Sequence, residues 1–196
     1  MARTGFKQAK YNFIDGNKYK ALVDGKVPVF EKVIDEKFAP EFNSAELYAN
    51  DSLAESDYSF KKGTLSFTVA DDDDLFISAL MGNVVTEEDG GDAEVTSNIS
   101  DVAPECAYGH IVHKIVGGVR KFKVEFFPRV KFTKATTDNK TRGEGVEFGT
   151  TALEGTVYPL DKAINGLKEG DWEKHKTFAS YQDAEAYLDG LLTPLA

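Results

Sequence analysis

The sequence predicts a mainly β fold, an antiparallel β-sandwich or barrel with a flanking α-helix and a short helix near the C-terminus. Three observations predict it. The 17 glycines far outnumber the 6 prolines and fall between short alternating segments, as turns do in all-β chains. Polar and apolar residues alternate with a period of two in several stretches, and only two stretches carry helical spacing. Strands at short intervals around a lone central helix favour an antiparallel sandwich or barrel over alternating βαβ units.

Taken in order, Phe6 to Ile14 reads as a first strand, with Lys7, Ala9, Tyr11 and Phe13 on one face and Gln8, Lys10 and Asn12 on the other. Asp15-Gly16-Asn17 supplies a turn. Tyr19 to Val23 and Val27 to Phe30, around Asp24-Gly25, read as a short edge pairing, and Val29 to Phe38 as a continuing strand. Residues 39–59 have neither period and read as a long loop, whose Leu47, Tyr48 and Leu53 favour docking on something over disorder. Thr64 to Ala70 alternates cleanly and is the clearest strand.

Asp71 to Asp74 then cap a helix over Leu75 to Met81, in which Leu75, Phe76, Ala79 and Leu80 form the packing face and Gly82 the C-terminal cap. Residues 86–98 read as an acidic, glycine-rich loop. Ala107 to Ile115, Gly117-Gly118 and Arg120 to Phe127 make a hairpin, and Val130 to Thr133, Gly145 to Phe148 and Thr151 to Leu160 add strands. A second helix starts at Ser180 with Ala184, Tyr187, Leu188 and Leu191 on one face, and is stopped by Gly190 or Thr193-Pro194. Residues 1–160 form the predicted β domain. Residues 161–196 form a C-terminal extension with a strand and a helix, either an appendage or part of the same domain.

The 196 residues are 41% hydrophobic, 29% charged and 12% aromatic, the make-up of a globular chain rather than a disordered one. No apolar run approaches the roughly 20 residues of a bilayer span. Cys106 is the only cysteine, so no intrachain disulfide forms, and the polar start after Phe6 lacks a secretory h-region, which together predict a cytosolic chain. The net charge of −10 disfavours tight nucleic-acid binding. Its distribution is uneven: residues 61–110 carry 2 basic and 11 acidic side chains, residues 111–150 carry 9 and 4. Such a dipolar chain can attract copies of itself.

Catalytic and cofactor chemistry finds no pattern to rest on. His110 and His113 stand on opposite strand faces and cannot chelate together, so both read as strand-surface or interface residues; His175 has no partner at zinc-site spacing. Cys106 reads as a buried, inert thiol. Asp71 to Asp74 fail as a calcium loop because Phe76 and Gly82 stand at its sixth and twelfth positions. The Glu87 to Asp92 run reads as solvated surface. Gly143-Glu-Gly145 and Gly117-Gly118 lack the context of a phosphate loop. No enzyme, metal or cofactor is expected.

Read in order, several segments carry a resemblance. They are Ala45-Glu-Leu-Tyr-Ala-Asn-Asp-Ser-Leu-Ala-Glu55, Gly63-Thr-Leu-Ser-Phe67, Leu80-Met-Gly82, Ala103-Pro-Glu-Cys-Ala-Tyr-Gly109, Lys140-Thr-Arg-Gly-Glu-Gly-Val-Glu-Phe148 and Ala152-Leu-Glu-Gly-Thr156. Their succession resembles the major tail protein (tail tube protein) family of long-tailed, non-contractile bacteriophages and prophages of Gram-positive bacteria, over most of the chain up to Leu160. The resemblance implies a virion structural protein, assembled in the bacterial cytoplasm, that stacks as generally hexameric rings into the tail tube through which the genome leaves. The implied partners are further copies of the chain, a tape measure protein, a tail terminator and distal tail proteins. DNA is only passing cargo, and no membrane is involved. A flexible extension would reach the next ring, with residues 39–59 the first candidate and Leu47, Tyr48, Asn50, Asp51 and Leu53 its contact residues; the residues before Phe6 are the second. Lumen carboxylates would keep DNA from sticking. Two alternatives stay open: the tube protein of a related contractile injection or secretion system, and a monomeric carbohydrate- or ligand-binding β-sandwich, to which the single Trp172 lends little.

Overall fold

The computed structural model describes residues 2–30, 32–49, 52–70, 74–87, 93–137 and 150–195, and every structural statement below concerns those residues. The elements are β1 (Ala2–Asp15), β2 (Lys18–Tyr19), a one-turn 3-10 helix (Val23–Gly25), β3 (Val33–Ala49), β4 (Ser52–Val69), α1 (Asp74–Met81), β5 (Val84–Glu87), β6 (Ala93–Thr96), β7 (Glu105–Val116), β8 (Val119–Thr137), β9 (Thr151–Val157), β10 (Lys174–Phe178) and α2 (Tyr181–Leu192). All strand pairings are antiparallel. The main sheet runs β2-β1-β7-β8-β9-β4-β3, with β10 on β8, while β5 and β6 form a separate hairpin. The predicted mainly β, sandwich-like class with two helices is what the chain adopts.

The long strand β8 explains the layering. Its first half, Phe122 to Phe126, pairs with β10, and its second half, from Val130 on, pairs with β9. One strand thus serves two layers, and two cores form. Between the layers, Phe30 is buried among the rings of Tyr11, Phe67, Phe76, Tyr108 and Phe132, with centroids 4.8–6.0 Å away. On the outer face, Tyr19, Ile111, Val124 and Phe126 are covered by Ala184, Leu188 and Leu192 of α2 and by Leu160, Ile164 and Leu167. Residues 161–195 therefore supply about half of that second core. The approach is close: a Cβ on Gly109 would lie 2.6 Å from Leu188 Cδ1.

Several expectations are corrected. Residues 39–49 and 52–59 are not a loop but the distal part of the paired strands β3 and β4. Residues 84–87 and 93–96 are paired strands, where a loop over 86–98 was expected; Glu88 to Asp92 lie outside the described residues. Tyr19 to Val23 does not pair with Val27 to Phe30. Instead β2 pairs with the end of β1, and Val29 bridges to Lys10, with the Phe30 N–H donating to the Ala9 carbonyl. The strand expected over Val29 to Phe38 is interrupted at Lys32, which has φ 55°. The strand from Thr151 ends at Val157, short of Leu160, and that over Gly145 to Phe148 lies outside the described residues.

In β1, Lys7 pairs with Ile111 but Lys10 with Gly109, so a bulge at Gln8, φ 50°, reverses the alternation. Lys7 consequently leaves the face of Ala9, Tyr11 and Phe13, and its ammonium lies 5.9 Å from the Tyr181 ring on the α2 side. Lys10 and Asn12 keep their predicted face. Lys10 Nζ is 2.6 Å from Asp189, and Asn12 donates to the Leu192 carbonyl. Both tie β1 to α2, which runs on through Gly190 to Leu192.

In α1 the predicted packing face is half right. Leu80 is buried and Phe76 packs against Phe30 and Tyr11, but Leu75 and Ala79 are exposed and Ile77 takes the inward position. The inward face is the predicted one rotated by a residue, with Phe76 and Ile77 one turn before Leu80 and Met81. Asp71 to Asp73 lie outside the described residues; Gly82 has φ 74° and follows the helix as its cap.

Candidate assembly surface

The β3–β4 hairpin reaches past the rest of the sheet. β9 pairs with β4 only from Gly63 to Val69, whereas β3 and β4 stay paired out to Ala49 and Ser52. Residues 41–49 and 52–62 thus form a two-stranded ribbon, roughly 30 Å long at the usual strand rise, with no third strand among the described residues. A two-stranded ribbon alone is marginally stable in water, so this one has to be held at its root or at its tip. Leu47 stands opposite Glu55 and Tyr48 opposite Leu53, which places three of the predicted contact residues on the ribbon. Asn50 and Asp51 lie outside the described residues. The second predicted extension, the segment before Phe6, is instead part of a strand: Ala2 pairs with Ile115 and Arg3 with Lys114.

Aromatic stacking holds the root. The Trp172 indole lies flat on Phe60, 4.0 Å between centroids with planes 8° apart, and stacks at 6.1 Å on Phe38, which in turn meets Phe127 at 4.6 Å. Gly63 leaves room for this pile, because a Cβ there would collide with the Phe38 ring. The ribbon also turns aromatic side chains to water. Phe42, opposite Phe60 and edge-on both to it and to Trp172 at 6.5 Å, is 52% exposed, and Tyr58, farther out, is 62% exposed.

Beside the root, between the layers, lies a charged cluster that sequence reasoning missed. His110 is buried, not on the strand surface as expected. Its Nδ1 is 3.2 Å from Glu36 Oε2, out of line for a hydrogen bond but at ion-pair distance, and its Nε2 is 3.3 Å from Glu125 Oε2. Lys123 donates to Glu125 Oε1 at 2.6 Å, and the Tyr108 hydroxyl donates to Glu36 Oε2 at 2.7 Å. Burial opposes the charge on Glu125, yet the His110 and Lys123 contacts outweigh it and hold the carboxyl down at about 2. Burial, and then the Glu36 charge, push the Tyr108 hydroxyl well up. The cluster joins β3, at the start of the hairpin, to β7 and β8. The two His110 nitrogens face carboxylates on opposite sides of the ring, so they do not converge on one point. Among the described residues no group of three or more His, Cys, Asp or Glu is placed to hold a metal ion.

A second ionic group pins the end of the chain. Arg129 donates from Nε and Nη2 to the two oxygens of Glu105, at 3.0 and 2.7 Å, and its Nη1 is 3.4 Å from Asp161. Burial raises the Glu105 carboxyl, but the Arg129 and Lys131 contacts prevail and it titrates below the usual range. Cys106 is buried, with its thiol pushed up by that burial. One cleft of about 430 Å³ lies beside Gln8 and Phe30, and another of about 490 Å³ lies beside Phe13 and Asn83, where the Ser78 hydroxyl donates to the Asp74 carbonyl of its own helix. No protein-family model and no curated protein matches the chain.

Proposed function

We propose that the chain is a structural building block of a virion tail, self-assembling into stacked rings that form the tube of a long-tailed, non-contractile phage. The observation that supports this reading best is the ribbon: a paired strand extension that outruns its sheet and turns Phe42 and Tyr58 to water. A monomer gains nothing from such an arm. In an assembly, the same arm buries its apolar groups on a neighbouring copy, and each copy stabilises the next. The terminal strand β3 also ends the sheet, and edge-to-edge joining around a ring would cover such edges. The resemblance of the ordered segments to tail tube proteins points the same way.

The acidic excess fits a conduit, because carboxylates along a lumen repel passing phosphates. Electron microscopy of the protein at rising concentration, alone and with a tape measure protein, tests the proposal. Rings or tubes are expected, and replacing Phe42 and Tyr58 by serine should abolish them while leaving the circular dichroism of the β fold intact. A strictly monomeric protein under both conditions would overturn the reading.

A further inference from the structure

Strand β7 carries chemically opposite surfaces at its two ends. At 12 residues it spans roughly 40 Å, too far for one end to satisfy the other. The end before Glu105 is a pinned loop. The Asp101 carboxylate accepts hydrogen bonds from the Asn98 N–H at 2.7 Å and the Asn83 amide at 2.9 Å, and these bonds lower its pKa. That clamp fixes the turn that carries Ile99 and Val102 against Asn83, which precedes Val84 on β5. Ile99 is fully exposed, Val102 74% and Val84 60%, an apolar group held out to water on a fixed backbone. Glu94 and Asp101 flank it, and no Lys or Arg occurs from Gly63 to His113.

The other end is the β7–β8 turn at Gly117-Gly118. Val119 is 56% exposed, on one face with Val116, Lys114 and Lys121, and Ile115 stands opposite Arg120 on the other face. No Asp or Glu occurs from Cys106 to Val124. Each end thus carries exposed aliphatic side chains; the turn is basic, whereas the loop is acidic up to Glu105, whose charge Arg129 and Lys131 take up.

We propose that copies of this chain meet head to tail along β7, the basic turn of one copy seated on the acidic, apolar loop of the next. The contact is heterologous, and such contacts run on into rings or filaments instead of stopping at a dimer. Charge steers the encounter and sets its polarity, while Ile99 and Val102 meeting Val119 supply the apolar burial. The inference rests on the reading above only in requiring that the chain assemble with itself; it names which surfaces do so.

Disulfide trapping tests it. One batch carries Ile99→Cys and another, with a size tag, carries Val119→Cys; buried Cys106 stays out of the reaction. Mixed and oxidised at low salt, the two should give the mixed disulfide in about tenfold excess over either homodimer, a bias of roughly 1.4 kcal/mol. The excess should collapse in about 1 M salt, where charges are screened within a few ångströms. Adding Arg120→Glu to the tagged batch should reduce the mixed product, and adding Glu94→Arg to the other should restore it. A merely statistical mixture at low salt overturns the inference. If tubes form while the mixture is statistical, the contact is wrong and the tube reading stands; if the mixed disulfide dominates in a protein that never forms rings or tubes, the contact stands and the tube reading falls.

Discussion

The two halves of β4 differ although they are one strand. From Gly63 to Val69 it lies between β3 and β9, with Leu65, Phe67 and Val69 buried and the intervening Thr64, Ser66 and Thr68 only partly covered. From Ser52 to Lys62 it has β3 as its one neighbour. Hydrogen bonding makes both halves strands, but only the inner half has a core to face. Alternation in sequence records burial of one face, not strand pairing as such. The body of this protein is therefore held by side chains and the ribbon by backbone pairing plus its root.

The sharpest way to break this contrast is to remove a body side chain. Phe30→Ala takes away the ring around which five other aromatics gather, and should lower stability by about 3–5 kcal/mol in a denaturant titration. A loss under 1 kcal/mol would show that Phe30 is not the centre of the core. Nothing in the sequence singled Phe30 out. It stands in a short irregular segment beside β1, and its partners come from five separate elements, a convergence that no local period encodes.

Legibility followed the same physics elsewhere. Thr64 to Val69 and the second helix were readable because each buries one regular face in the core, and the β7–β8 hairpin because Gly117-Gly118 marks its turn, although β7 is buried on both faces from Cys106 to Val112. The ribbon was read as a loop because residues 39–59 carry neither a period of two nor one of 3.6, although β3 and β4 pair there. Lys7 was misplaced because a bulge at Gln8 reverses the alternation without any glycine to announce it. Leu47, Tyr48 and Leu53 were read on a loop and lie on the paired ribbon, while the Trp172 pile and the Glu36–His110–Glu125 cluster were invisible. Their members are joined only by the fold, across tens of residues.

That cluster gives the next-largest effect. Glu125 titrates at about 2 in the folded protein, below its ordinary value of 4.5, so its contribution is complete above the ordinary value and is lost as pH falls toward 2. Unfolding free energy should drop by on the order of 2–3 kcal/mol between about pH 5 and 2 from this group. Glu125→Gln should flatten that acid limb while lowering stability at neutral pH, where His110 and Lys123 lose a partner. An unchanged acid limb in the variant would remove Glu125 from the account.

Gly63→Ala probes the seam between the two halves. Its new Cβ runs into the Phe38 ring, which is wedged against Phe127 and Trp172 and has little room to yield. A loss of about 1–2 kcal/mol is expected, with the Trp172 fluorescence shifted as the pile is disturbed. Unaltered fluorescence would mean that the ribbon root does not depend on this packing.

The smallest effect on the folded monomer should come from the ribbon itself. Lys62 Nζ lies 3.7 Å from Glu41 Oε1 with both side chains more than 40% exposed, so Glu41→Gln should change stability by less than about 0.5 kcal/mol, against the several-fold larger effect of the carboxylate at Glu125. The same holds for Phe42→Ser if its ring matters mainly to a neighbouring copy: the thermal midpoint stays within a degree or two of the parent, while ring formation is lost. A variant that unfolds early instead would place Phe42 among the body's own stabilising side chains, and the division drawn along β4 would then have to move outward toward the tip.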